Sequence, residues 1–520
     1  MNLGHTTVHA QDIQSVIIGP DPMTIDEFVA VARYGATVKF SPEYESRVNH
    51  SRALIERFLE ENRLIYGVTT GFGSNVTEVI APGDAATLQR NIVISHAVSV
   101  GEPLAEELVR AIQLMELVGL GQGFSGTSLE TLTLIRDLLN HRITPYAPGS
   151  GSVGYLAVEA HIAMVLLGEG KAWVNGQVVS GAEALASAGL EPRILGCKEG
   201  LSLTNGTHSV TAVSVLTAYD SIRAGKIADL AAAMSLEALK GNLKAFDPRL
   251  QAVKKHPEQE ASAANVRNLL AGSKTMDALD DYRVQDPLSL RSIPQVHGGA
   301  KRAIKNAVQV IEEALDSLGD NPIIVPEGDD GLAIMGGNFD SSFVGIQVSG
   351  LATAATVLAK NSERRTERMV NSNFSELPAF LAPNPGLNNG YMIVQYTAAA
   401  LYMEMKALCT PAIIDSVSTS AGQEDPVSNA YLGAMQAYQA VGKLRYVLGI
   451  ELMCAVQAIE LGNGAGSSKV VQLVRDSIRT SVPAAENDRF FGDDIENMER
   501  IVFDGRLLRI VEEKLGGLGF

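Results

Sequence analysis

Tyr66 stands at the entrance of a run, Leu64 to Asn75, in which three glycines and three hydroxyl residues follow within ten positions. Such a composition describes a surface loop. A phenol on a loop able to move suits proton transfer above a pocket; packing as a plain aromatic anchor explains it equally well. Four polar junctions, three of them glycine-bearing, interrupt the helical stretches, and several stand just before helix starts. They contain Asn205, Gln285 with Arg291, Phe339, and Gln423 with Glu424. Taken singly, each reads as a cap. Together they would aim unpaired backbone N–H groups and positive helix ends at one place, where a carboxylate or developing negative charge is stabilised. Arg291 is the bidentate partner a carboxylate needs. His96 ends an apolar helical stretch, where a buried, hydrogen-bonded histidine is the ordinary reading.

A further stretch, Gly149-Ser150-Gly151-Ser152-Val153-Gly154, runs directly into Tyr155 and an apolar helix through Leu167. Its glycines allow a tight turn or close backbone approach, although a glycine-rich loop before a buried helix is common.

The elements that must position these residues are mostly helices. Thr24 caps a helix through about Tyr34, and Ser41-Pro42 starts the next, with serine at the cap and proline in the first turn. Apolar periodicity predicts helices over about 88–97, 104–120, 156–167, 207–243, 296–317, 340–370, 391–410 and 426–462. On the longest, small residues (Ala430, Ala434, Ala437, Gly442, Gly449) alternate with large ones, as close helix approach in a bundle requires. Asn175-Gly176 between β-formers marks a hairpin, and the segments around Asn321–Val325 and Gly331–Met335 form a second, joined through Gly328-Asp329-Asp330. The expected fold is mainly α, with a long central helical bundle, a smaller amino-terminal domain and short β-hairpins. The domains are 1–205, carrying the Tyr66 and Gly149–Gly154 loops, and 206–520.

Composition narrows the class of function. Hydrophobic residues make up 46% and charged residues 19%, so the chain is globular and ordered. A net charge of −17 argues against a nucleic-acid footprint or an anionic membrane surface. Three scattered cysteines make neither a disulfide framework nor a metal pair. There is no signal-peptide pattern and no run of eighteen apolar residues. The expectation is a cytoplasmic protein without metal, membrane or nucleic-acid partners.

Several segments together resemble the aromatic amino acid ammonia-lyase and aminomutase family over nearly the whole chain. They are Tyr66–Gly73, Leu88–Pro103, Lys198–Thr207, Gln285–Gly298, Gly336–Phe339, Tyr391–Gln395 and Gln423–Ser428. The resemblance implies a homotetramer whose active sites combine residues from neighbouring subunits. It also implies a methylidene-imidazolone electrophile, formed by cyclisation of an Ala-Ser-Gly triad, with no metal. Elimination of ammonia from an aromatic L-amino acid follows. Ser95-His96 and Glu424 are similar to the histidine-directed branch, whose product is urocanate. Phenylalanine- or tyrosine-directed elimination and 2,3-aminomutation are the alternatives. In these terms Tyr66 takes the β-proton and Arg291 holds the carboxylate. Asn205, Gln285 and Asn321 position substrate or electrophile, Phe339 packs near the substrate, and Ser95, His96, Gln423 and Glu424 read its side chain.

The prosthetic loop departs from the family. There Gly-Ser-Val-Gly is followed by Ala-Ser-Gly and then Asp-Leu-Ala-Pro-Leu-Ala-His. Here Gly154 is followed at once by Tyr155 and the register closes on His161, a gap of three, and Ala-Ser-Gly occurs nowhere in the chain. The preserved flanks favour a cyclised triad between Gly154 and Tyr155. The competing expectation is a catalytically inactive member that lacks the electrophile and binds an amino acid or a partner. Leu288 also replaces a usual tyrosine, His208 a glutamine and Pro426 a histidine. Tyr155 is the residue that could stand in for the phenol missing at 288.

Overall fold

The computed structural model describes residues 9–19, 21–154, 156–279, 282–328, 330–462 and 466–520. Near the amino terminus, Thr24 caps the helix Ile25–Val29 through a reciprocal bond pair with Glu27, and a π-helical turn continues it to Tyr34. Ser41 accepts from the Tyr44 N–H to start Pro42–Glu60, with Pro42 in the first turn. The helices that frame the site and the core follow: α1 (Ala85–His96), α2 (Ala157–Leu166), α3 (Glu199–Thr204), α4 (His208–Ala238), α5 (Ile293–Leu315), α6 (Ser342–Val370), α7 (Met392–Ala407), α8 (Ala430–Leu461) and α9 (Phe491–Asp504).

The bundle is built on α4, α5, α6 and α8, with α8 packed along both α6 and α4. Both α4 and α8 bury apolar residues around most of their circumference, as helices at the centre of a bundle do. Small residues set the closest approaches. A Cβ on Gly449 would lie 3.1 Å from Met498 Cβ on α9, and one on Gly345 2.9 Å from Ala430 Cβ. Gly442 makes no such approach; its nearest neighbour is Arg445 of the same helix, 3.8 Å away. The main buried core is continuous from Ala10 to Leu518, on both sides of residue 205. Among the described residues one helix, α6, is long and apolar enough to cross a membrane by composition, but half of its most apolar window is buried in the bundle.

Two charged clusters inside the bundle are paired. Arg365 donates to both oxygens of Glu451 at 2.5 and 2.9 Å, and Ser235 donates to the same carboxylate at 2.7 Å. Asp229 lies 2.6 Å from Lys301 Nζ and 2.7 Å from His297 Nδ1. All five charged or ionisable side chains are fully buried, where an unpaired charge would be strongly destabilising.

The hairpin at Asn175-Gly176 forms with Trp173 opposite Val178 and Val174 opposite Gln177. The second pairs Ile323–Glu327 with Asp330–Ile334. Two further pairings have no local signature. Ser15–Ile18 lies parallel to Thr37–Phe40, and Pro148–Ser150 pairs antiparallel with Val100–Pro103. The longest helix starts at Ala430 rather than near Pro426. Ser416 Oγ bonds both the Val427 N–H and the Val427 carbonyl, and Asn429 Nδ2 bonds Asp415 O, so 426–429 is held as loop.

Candidate active site

Loops and the ends of α1 and α3 line an open cavity of about 1520 Å³. The Tyr66 loop is a structured object. Thr70 bridges Val79, Ile80 N–H bonds Thr69 O and Gly71 N–H bonds Glu78 O. Gly67 takes φ +65°, and a Cβ there would sit 2.4 Å from Leu201 Cδ2 and 2.9 Å from Phe72 Cε1. Only glycine fits both the angle and the space. Fully buried Gln89 of α1 donates to Gly67 O at 3.0 Å and accepts from Leu201 N–H at 3.1 Å, tying loop, α1 and α3 together.

Tyr66 is half-buried, and its phenol oxygen accepts the Gly73 N–H at 2.9 Å. Burial raises its pKa, the Gly73 N–H acts the other way, and Glu424 raises it further. A phenol acts as a base near neutral pH only where nearby positive charge or donors favour its anion; within the chain Tyr66 has the one Gly73 donor, and the nearby charge is the Glu424 carboxylate. Once formed, the phenolate is a strong base with one aligned donor.

His96 is the last residue of α1, with Nδ1 3.0 Å from Ser95 Oγ. Burial lowers its pKa, partly opposed by a bond at Ile92 and by Glu424, so the ring is neutral near pH 7. The segment 416–428 brings Gln423 and Glu424 to the same cavity. Thr419 N–H bonds the Glu424 carbonyl and Thr419 Oγ1 bonds its carboxylate at 3.0 Å. This segment meets the Tyr66 loop directly, since a Cβ on Gly73 would lie 3.7 Å from Ser420 Oγ.

Asn205 follows α3 and donates to Asn321 O at 3.1 Å, while Asn321 Oδ1 accepts the Gly336 N–H at 2.8 Å and so sets the loop that carries Phe339. Behind them lies a polar hub the motifs did not single out. Asp320 accepts from Lys198 Nζ at 2.5 Å, Ser125 Oγ at 2.9 Å and Asn321 N–H at 2.7 Å, and Lys198 also donates to Ser202. Lys198 and Asp320 are both fully buried. Burial pushes Lys198 down, and Asp320 opposes it. Lys198 stands within a quoted motif, but its partner is 122 residues away.

Tyr66, Ser95, His96, Asn205, Asn321, Phe339, Gln423 and Glu424 thus line one cavity. Gln285 and Arg291 do not: Gln285 is exposed, and Arg291 ends a short helix, Leu288–Arg291, outside the cavity lining. Gly154 takes φ +75° and packs against Val427 rather than lining the cavity. Tyr155 lies outside the described residues. Leu156 lines the wall with φ +94°, a strained angle for a leucine.

The sequence profile of aromatic amino acid lyases matches residues 23–480. The chain belongs to the aromatic amino acid lyase family. Among relatives, the histidine ammonia-lyase of Symbiobacterium thermophilum is 43% identical, over 95% of this chain and 98% of that protein. The histidine ammonia-lyase structure from Trypanosoma cruzi superposes with a TM-score of 0.89 at 34% identity, covering 96% of this chain and 95% of that one. The ergothioneine-degrading ergothionase of Treponema denticola, solved with desmethyl-ergothioneine sulfonic acid, gives 0.87 at 29% identity, covering 95% and 99%. A carbon–nitrogen lyase is what this family and these relatives indicate.

The family's methylidene-imidazolone requires a serine flanked for ring closure, and the residues present do not fit it. One residue separates Gly154 from Leu156, and no Ala-Ser-Gly exists in the 520 residues. The loop's one related tripeptide, Gly149-Ser150-Gly151, does not line the cavity, and Ser150 is paired with Val100 in a strand. An extended strand holds the glycine nitrogen away from the carbonyl it would have to attack.

Proposed function

We propose that this chain eliminates the α-nitrogen of an imidazole-bearing L-amino acid of the histidine type, giving urocanate. What carries this reading is the convergence of Tyr66, Ser95-His96 and Gln423-Glu424 on one cavity in a family member whose relatives include histidine ammonia-lyases. Tyr66 removes the β-proton. Neutral His96 and the Glu424 carboxylate take the two imidazole nitrogens as acceptor or donor partners, which an aromatic ring without nitrogen cannot offer. Phe339 packs against the substrate, and Asn205 and Asn321 keep the wall in place.

No Lys or Arg lines the cavity among the described residues, so the substrate carboxylate needs a partner from elsewhere. We assign that to Arg291, with Gln285, of a neighbouring subunit in a homotetramer. Exposed apolar side chains along the bundle support such an assembly: Phe343 is 81% exposed, and Ile346, Ile393, Tyr396 and Met403 lie open on the same two helices, α6 and α7. Apolar exposure of this kind marks contact surfaces.

The test is a panel of histidine and its Nα-methylated forms, followed by near-ultraviolet absorbance of urocanate. At least one member turns over, and Tyr66→Phe lowers kcat by about 10²–10⁴ with unchanged circular dichroism. Turnover that survives in Tyr66→Phe removes the phenol from the base role.

A further inference from the structure

The mismatch between this chain and the family's electrophile bears on which nitrogen can leave. We propose that the site eliminates a fully alkylated α-nitrogen, so that its substrate is a histidine-type betaine with a quaternary ammonium and its second product a tertiary amine. This rests on the reading above and narrows its substrate class.

The chemistry follows from what a phenolate meets first. A primary α-ammonium carries protons more acidic than that of a tyrosine phenol, whose pKa is ~10. A Tyr66 phenolate is therefore consumed by the ammonium before it reaches a carbon-bound proton. The neutral amine that results cannot depart with the bonding pair. An external electrophile solves this by capturing the nitrogen. A quaternary ammonium needs no such capture, because it has no N–H to give and stays a cationic leaving group. The step balances without a co-reactant. Tyr66 oxygen takes the β-proton, the C–H pair becomes the Cα=Cβ bond, and the Cα–N bond breaks with its pair going to nitrogen. A neutral tertiary amine and an α,β-unsaturated acid leave, and the phenol returns its proton to solvent.

The cavity suits such a cation. Its charged lining among the described residues is acidic only, Glu78 and Glu424. Tyr66 and Phe72 meet edge to face with centroids 6.4 Å apart, and both line the cavity with Phe339. Aromatic faces with a nearby carboxylate are how proteins hold quaternary ammonium groups that cannot donate hydrogen bonds. Where the prosthetic loop meets the cavity, the wall is the hydrocarbon of Leu156, joined by Leu88, Ile92 and Leu201.

Purified full-length protein is assayed with L-histidine and with its Nα,Nα,Nα-trimethyl betaine, measuring urocanate, ammonia and trimethylamine; intact mass is taken on the same sample. The expected result is a kcat/KM for the betaine at least about a hundredfold above that for histidine, loss of betaine turnover in Tyr66→Phe, and a mass equal to that of the 520-residue chain. Histidine turned over as well as the betaine, with ammonia released, overturns this inference and leaves the lyase reading intact. So does a mass heavier by about 179 Da, the increment of an inserted Ala-Ser-Gly less two waters. Urocanate from neither substrate overturns both.

Discussion

His208 makes folding sensitive to acid at a defined place. It opens α4, three residues past Asn205, is 1% exposed, and neither ring nitrogen has a hydrogen-bond partner among the described residues. Burial lowers its pKa from 6.5 to about 4, with Asp320 opposing. The sign is fixed by proton binding. Between pH 6.5 and 4 the unfolded chain binds the proton and the folded chain does not, so stability rises with pH across that window and is lost as pH falls through it. Moving a pKa over that interval is worth about 3 kcal/mol at its acid end, and about 2 kcal/mol is already lost at pH 5. His208→Gln removes the titration. Urea midpoints at fixed protein concentration, taken at pH 7.5 and 5 for both proteins, should show the wild type losing about 2 kcal/mol more than the variant. Equal losses would refute the reasoning, because they would mean His208 is protonated in the fold or reaches solvent.

Three other perturbations follow from the structure. Gly67→Ala places a methyl 2.4 Å from Leu201 Cδ2 at a positive φ; it should cost about 1–3 kcal/mol and lower kcat by displacing Tyr66, and unchanged stability and kcat would contradict the packing. Glu451→Gln leaves fully buried Arg365 without its counter-charge and should cost about 3–5 kcal/mol, whereas replacing both residues by methionine should recover most of the loss in a urea titration; a single-variant cost below about 1 kcal/mol argues against the pair. Phe343→Lys with Ile346→Glu charges the open stripe of α6 and should lower the solution mass and activity together, since Arg291 would then be missing from the site; a fully active monomer rejects a shared active site.

The phenol's environment is where residue types misled most. Helix ends promised positive surroundings for the site, yet within one chain the neighbours of Tyr66 are the Gly73 N–H and the Glu424 carboxylate. Motif spacing names the residues but carries no sign for the field they create, because that field sums over groups hundreds of residues apart in sequence.

Local chemistry determined most helices and both hairpins. The capping box at Thr24, the Ser41-Pro42 start and the Asn175-Gly176 turn each act within about four residues, so the sequence alone places them. The cavity residues were legible as family-like motifs, though each motif by itself also reads as a cap. Only tertiary structure decided the rest. Pro148–Ser150 becomes a strand because Val100–Pro103 lies beside it, α8 begins at Ala430 because Ser416 holds Val427, and Arg291 falls outside the cavity its type suits. The buried pairs Lys198–Asp320 and Arg365–Glu451 join residues 122 and 86 positions apart. A lysine destined for full burial looks locally like any other lysine, because the partner that makes its burial tolerable is chosen by the packing of helices and not by its neighbours in the chain.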